Sequence, residues 1–280
     1  MPRHHSFFLL LLLGLALPVG AQPAPQLYRL TMSVADSRGR AVTGLAPSDV
    51  VITVGDVDRA PTALEVDPRP LSIVVIADGV EPTEALNVRA ALAGVVKRFR
   101  AGGADVRVGL MLGEEGARAP VLEDAQTAAA DHDRRVSRFF TAPDTAPPAD
   151  TIMGASQALA REEGRRKAVL ILSVNRRGVS TQSFAAVVSA MRRADITLAA
   201  VETGDGRDQS LWLIQSALGG RYERVGDSAA FDSVAARLAG TLLSAYQVTF
   251  SAGESGNRPL KVQVKGHGRV TVIAPAWGMR

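Results

Sequence analysis

Few residues in this chain could do chemistry, and their spacing narrows what that chemistry is. Asp78 ends the run Leu71-Ser-Ile-Val-Val-Ile-Ala-Asp78 and is followed by Gly79-Val80-Glu81-Pro82. An acid directly after a buried apolar strand stands where open α/β sheets place their ligands. There it could hold a cation, take a proton or bond loop amides. Ser173 ends a second apolar run, Lys167-Ala-Val-Leu-Ile-Leu-Ser173, and could act as a nucleophile only beside a base. Bases are scarce: beyond His4 and His5 the imidazoles are His132, in a charged helical stretch, and His267, in a β-turn. No His pair or metal cluster is spaced for catalysis. Gly154-Ala-Ser-Gln-Ala158 lacks the second glycine of a nucleophile elbow. Gly204-Asp-Gly-Arg-Asp-Gln209 lacks the third glycine of a dinucleotide loop. Glu114 and Glu115 share a turn and read as solvated charges, and Trp212 and Trp277 read as packing residues.

The elements that must position Asp78 and Ser173 follow from periodicity. Leu71 to Ala77, dominated by Ile and Val, reads as a strand buried on both faces of a parallel sheet. After Pro82, Val88, Leu92, Val95, Val96 and Phe99 make one apolar helix face. A strand over Val106–Leu112 and a return strand over Arg118–Leu122 come next. They precede a helix over Ala125–Phe140 with Val136, Phe139 and Phe140 inward. The Pro-rich loop Ala142–Asp150 leads to a helix over Thr151–Glu163. Strands over Lys167–Ser173, Asp195–Val201 and Gly219–Val225 alternate with helices marked by Phe184 to Met191, Leu211 to Leu218 and Phe231 to Leu242. Such alternation predicts an α/β fold with a doubly wound, mainly parallel sheet.

Alternating stretches flank this region. Tyr28–Val34 and Asp49–Val54 precede it, and Tyr246–Phe250, Leu260–Val264 and Val270–Ile273 follow it as an antiparallel meander. Neither set can bury a face alone, so the two are expected to join in one small antiparallel β domain that brings the chain ends together. The expected division is a leader over 1–21, β strands in 22–68, the α/β domain over 69–245 and the remaining β strands in 246–280.

The leader reads as a secretory signal: Arg3-His4-His5, the apolar Phe7 to Leu17, then Val19-Gly20-Ala21 for cleavage. Its apolar run falls short of the ~20 residues a membrane span needs, and no later run is long enough. The expectation is a secreted or periplasmic protein with no membrane span once the leader is removed. Across 280 residues there is no Cys, which excludes disulfides and thiolate metal sites. Net charge is +4, but the basic clusters Arg165-Arg166-Lys167 and Arg176-Arg177 are short. They read as flanks of strands, and nucleic acid is not an expected partner.

The strand–Asp–loop–helix at 71–82 resembles the first strand of a von Willebrand factor type A (VWA) domain. The stretch Asp36-Ser-Arg-Gly-Arg-Ala-Val-Thr-Gly-Leu45, with Ser48-Asp-Val-Val-Ile52 after it, resembles the β module ahead of such domains in secreted bacterial "VWFA-related" proteins. The resemblance implies a Rossmann-like sheet. It also implies a cation site made by Asp-x-Ser-x-Ser, a Thr before the helix leading to the fourth strand, and an Asp after that strand. Asp78 and Thr151 match, whereas Val80, Pro82 and Val174 stand at the other three positions. None of these three has a side-chain oxygen for Mg²⁺, which requires near-octahedral oxygen ligands. Glu81 is one residue out of phase and Asn175 is neutral. The implied site is therefore degenerate, with Mg²⁺ disfavoured and no cofactor expected, and Asp78 and Thr151 read as helix caps or loop ties. The family likeness further implies a non-enzymatic protein that binds another protein through loops at the carboxyl end of the sheet. Asp78, Glu81, Thr151, Asn175, Arg176, Arg177 and Arg207 are the candidates for that face, and the arginines suit an acidic partner. Two other classes stay open: a hydrolase or transferase acting through Asp78 or Ser173, and a structural envelope component.

Overall fold

The computed structural model describes residues 26–78, 85–103, 105–112, 118–139, 147–174, 180–203, 209–226, 228–251 and 259–277. The central sheet starts at β5 (Leu71–Asp78), whose Ile73, Val74, Val75 and Ile76 are all fully buried, as expected of a strand covered on both faces. Around it lie β6 (Arg107–Leu112), β7 (Glu123–Asp124), β8 (Arg166–Val174), β9 (Ile196–Thr203) and β10 (Arg221–Val225), in the order β10-β9-β8-β5-β6-β7. All neighbours are parallel except β6 and β7. The order runs outward in both directions from β5, so the topological switch point is at the end of that strand.

Helices cover both faces. On one side are α1 (Ala85–Ala101), α2 (Ala129–Ser137) and α6 (Ser228–Leu243). Val88, Leu92, Val95 and Phe99 of α1 and Phe231, Leu238 and Leu242 of α6 form the core there with Ile73, Val75, Leu170 and Val201. On the other side are α3 (Pro148–Ala160), α4 (Phe184–Arg193) and α5 (Gln209–Leu218), packed on Val74, Ile76, Val169 and Ile171. The apolar faces expected of these helices are buried except at Phe184, which is 43% exposed; Phe140 lies outside the described residues. Local boundaries differ from expectation, that of α3 (Pro148–Ala160, not Thr151–Glu163) among them. The antiparallel edge strand is Glu123–Asp124, not Arg118–Leu122, because Pro120 and Val121 instead lie across Gly109, where a Cβ would meet both at 3.2 Å. And α2 begins only at Ala129, because the Asp124 carboxylate accepts the amides of Gln126 and Thr127 and holds 125–128 as a turn.

The flanking strands are β1 (Leu27–Asp36), β2 (Val50–Val54), β3 (Val57–Arg59) and β4 (Ala63–Val66) before the sheet. After it come β11 (Tyr246–Ser251), β12 (Leu260–Val264) and β13 (Val270–Ile273). They make two antiparallel sheets, β13-β1-β11-β4 and β12-β2-β3. The expected meander of the last three strands does not occur: each pairs with an N-terminal strand, β11 and β13 with β1 and β12 with β2. The reason is burial. Leu30, Met32 and Val34 face Val50, Ile52 and Val54 and Val248 and Phe250 in one sandwich core, which a three-strand meander could not enclose. β3 and β4, short and largely exposed, carry too little periodicity to be foreseen.

The two units are stitched closely. Gly220, at φ +83°, brings its backbone so near β9 that a Cβ would lie 2.0 Å from the Leu198 carbonyl oxygen. Its amide donates to the Ala274 carbonyl at 2.6 Å, and the Ala276 amide donates to Leu218 at 2.8 Å. The segment after β13 is thereby strapped onto the α/β unit, with Trp277 packed on the α3–α5 layer and the Arg192 guanidinium 5.6 Å from the indole centroid. Trp277 is a packing residue as expected, whereas Trp212 is 38% exposed on α5.

Candidate functional site

At the carboxyl end of the sheet, backbone register places Asp78 opposite Ser173, Ser173 opposite Glu202 and Glu202 opposite Arg224. In-register residues of parallel strands share a face. Ile76, Ile171 and Ala200, two residues earlier, all pack in the α3–α5 layer, so the row belongs to that side. The side chain of Asp78 lies outside the described set. Ser173 is 1% exposed, and its hydroxyl has no hydrogen-bond partner among the described residues. Glu202 is equally buried, and the Tyr222 hydroxyl donates to its carboxylate. Glu202 was not picked out from the sequence, although Val201-Glu202-Thr203 repeats, one strand over, the pattern of an acid closing an apolar run.

Thr151 does not cap its helix. Pro147 is the N-cap and Pro148 the first helical residue. Proline has no amide needing a cap and its φ suits the helix start, so α3 opens three residues before the expected point. Thr151 thus sits inside the helix, where its Oγ1 donates back to the Pro148 carbonyl at 3.0 Å. Asp150 does the tying instead. Its carboxylate accepts the Thr181 hydroxyl at 2.5 Å and the Thr181 amide at 3.2 Å, drawing the segment before α4 onto the start of α3. Burial pushes the Asp150 carboxyl up, and the hydrogen bonds from Thr181 and Ser180 outweigh it, leaving it below the usual range. Next along, Ser183 caps α4 by accepting the Ala186 amide at 3.2 Å. The Ser180-Thr181-Gln-Ser183 cluster was the sequence signal for this tie, but its partner is 31 residues away.

Glu81, Asn175, Arg176, Arg177 and Arg207 lie outside the described residues, as do Val80 and Pro82; Val174 ends β8 by its backbone. Backbone register therefore brings together Asp78, Ser173 and Glu202, while Asp150 and Thr181 tie α3 to the segment before α4 and the Thr151 hydroxyl bonds within its own helix. Among the described residues, no three His, Asp or Glu side chains are grouped to hold a metal ion. Among the described residues no imidazole lies against Ser173. His132 is wholly buried on α2, 3.8 Å from the half-exposed Glu123, and that burial lowers its pKa. His267 Nε2 lies 3.1 Å from Asp49. What the described groups do is brace: Asp150 holds Thr181 and Glu202 holds the Tyr222 hydroxyl.

No protein-family model and no curated protein matches the chain. Among solved structures it is similar to a von Willebrand factor type A protein from Catenulispora acidiphila, at 13% identity and a TM-score of 0.49, over 92% of this chain and 75% of that one. It is also similar to the VWA domain of SpRpn10, at 13% identity and a TM-score of 0.42, over 60% of this chain and 93% of that one. A third likeness is to proximal thread matrix protein 1 from the mussel byssus with a zinc-occupied MIDAS motif. There identity is 15% and the TM-score 0.49, over 66% of this chain but 48% of that one, so this chain spans under half of that protein. At such identities the likeness concerns fold alone. In fold, on the order and direction of its own strands, the chain is similar to von Willebrand factor type A domains.

Proposed function

We propose that this chain is an exported, non-enzymatic protein that binds another protein through the loops at the carboxyl end of its parallel sheet, without a cation. The observation that carries the reading is the state of Thr151. Its hydroxyl donates to the Pro148 carbonyl at 3.0 Å, and its neighbour Asp150 is occupied with Thr181. The proton of the matching Thr is spent within its own helix while its neighbour Asp150 braces the segment before α4, which supports a face organised around loop ties. Val80, Pro82 and Val174, which lack side-chain oxygens, support the same reading from the sequence. Arg176, Arg177 and Arg207 favour an acidic partner. The leader over 1–21 supports export.

The test is a pull-down from the source envelope with the mature protein, in Mg²⁺ and in EDTA. The expected result is one retained protein partner, equal in both buffers and lost when Arg176 and Arg177 are changed to Ser. Loss of the partner in EDTA alone would make the binding cation-dependent. No retained protein, together with a hydrolase or transferase activity that Asp78→Ala abolishes, would replace the reading with an enzymatic one.

A further inference from the structure

The opposite end of the sheet holds a second feature. Where β1 and β11 cross the amino ends of the parallel strands, a pocket of about 190 Å³ is lined by Arg29, Thr31, Arg69, Asp195, Gln247 and Trp277, with Leu30 behind. Its charges differ in how they are used. Arg69 is fully engaged, its Nε 3.0 Å from Asp67 and its Nη2 2.7 Å from Asp67 and 2.9 Å from Thr31. Arg29 and Asp195 are not. Neither side chain has a hydrogen-bond or ion-pair partner among the described residues, and they do not pair with each other across the pocket. Opposite charges without a hydrogen bond or close ion pair thus line one small cavity, with Arg69 and Lys167 acting on Asp195 only through space, an arrangement that suits a ligand carrying both charges.

Asp195 is also unusual in its backbone. At φ +53° it is the one non-glycine residue in the left-handed region among those described. Its amide closes α4 by donating to the Arg192 carbonyl at 3.2 Å. Gly or Asn ordinarily fills such a helix end, with no charge to desolvate. Here a carboxylate is placed instead, and burial holds it above its ordinary range, with Arg69 and Lys167 opposing that rise only in part. A ligand cation at this point would relieve the imbalance. The smaller space also lined by Asp195 and Arg69, about 20 Å³, has room for about one water, so a ligand would take the larger pocket.

We propose that this pocket binds a free apolar α-amino acid, its ammonium on Asp195, its carboxylate on Arg29 and its side chain against the Trp277 indole. The size argues for one residue rather than a longer peptide, since sites for drug-sized ligands start at about 300 Å³. Because β1 and β11 supply Arg29 and Gln247 while the α/β unit supplies Asp195, the ligand would clamp the two units together.

The experiment is titration calorimetry on the mature full-length chain with L-leucine as the probe. Leucinamide lacks the carboxylate, N-acetyl-L-leucine lacks the ammonium, and leucyl-leucine exceeds the cavity. L-leucine is expected to bind saturably and to raise the melting temperature. The three comparators, and the variants Asp195→Asn and Arg29→Gln, should each bind about tenfold or more weaker, as loss of a charge-assisted hydrogen bond requires. Asn tolerates the left-handed conformation, and Arg29 is exposed, so both variants should keep the fold. If Asp195→Asn unfolds, Arg29→Gln and the comparators carry the same test. Absence of saturable binding, undiminished binding of N-acetyl-L-leucine, or undiminished binding by either folded variant would overturn the proposal. Equal binding of leucyl-leucine would overturn the free amino acid as occupant.

Discussion

The two ends of the parallel sheet are built on opposite plans. At the carboxyl end three described polar groups turn to near neighbours: Thr151 to its own helix, Asp150 to Thr181, Glu202 to Tyr222. At the amino end the charges reach across elements. Arg166 donates to the carbonyls of Arg69, Leu242 and Leu243 at 2.9 to 3.1 Å, and Arg165 to Leu71 and to Ser72 Oγ. Arg69 closes on Asp67 and Thr31, joining the last residues before β5 to β1. The difference has a simple cause. In a doubly wound sheet the helices run back against the strands, so their carboxyl ends collect at the amino end of the sheet. Unpaired carbonyls and negative dipole ends gather there and draw arginine. The carboxyl end collects helix starts and long loops, which is where a partner-binding face is expected. The described ties between the two units thus concentrate at the amino end.

The sharpest way to break these ties is steric. Gly220→Ala forces a Cβ to within 2.0 Å of the Leu198 carbonyl at φ +83°, and is expected to cost about 4 kcal/mol or to prevent folding. Thermal melting of the purified variant reads this directly, and a melting point like that of the parent would mean the close approach is not needed. Arg69→Met is the electrostatic counterpart. It takes the guanidinium from Asp67, 7% exposed, leaving only the Thr31 hydroxyl and the backbone amide of residue 69 as donors, and should cost about 3 kcal/mol at neutral pH. Burial raises the Asp67 carboxyl, and Arg69 more than offsets it, so the folded value lies below the unfolded one. The pair's stabilisation is therefore complete above about pH 4 and lost as pH falls through the folded value. The gap between parent and Arg69→Met should narrow in acid; a pH-independent gap would mean the loss is one of packing.

The carboxyl end should respond less to removal and more to addition. Millimolar Mg²⁺ is expected to leave the melting temperature of the parent unchanged. Val80→Ser, Pro82→Ser and Val174→Asp together supply the oxygens the type A pattern uses. That variant should gain about 2.7 kcal/mol at a hundredfold excess of Mg²⁺ over its dissociation constant, or roughly 5–10 °C, and lose the gain with Asp78→Ala. A Mg²⁺ shift in the parent would show a working site and make the proposed binding cation-dependent. The smallest effect is Thr181→Val, which removes one hydrogen bond to Asp150 and should cost about 1 kcal/mol. Its signature is faster amide exchange confined to 180–182. Global loosening would mean that this end is as load-sharing as the other.

The central sheet was legible from the sequence because its signal is local. Runs such as Leu71–Ala77 and the apolar face Val88–Phe99 each declare their element within one window. The pairing of the flanking strands was legible in kind, since neither set buries a face alone. Its partners were not, because register between β1 and β11 depends on residues more than two hundred apart and on the sandwich core they close together. The same limit separates the sites. Apolar residues at positions 80, 82 and 174, and Asp78 closing its strand, can be read from the letters alone, for composition decides which oxygens exist at all. Whether an oxygen is free is decided by geometry. Thr151 turns to Pro148, Asp150 reaches Thr181, and Arg29 meets Asp195 across a cavity only because the chain's first strand is laid over the amino end of a sheet that begins forty residues later. Hydrogen bonds extend about 3 Å, and only the tertiary fold brings groups so distant in sequence within that reach.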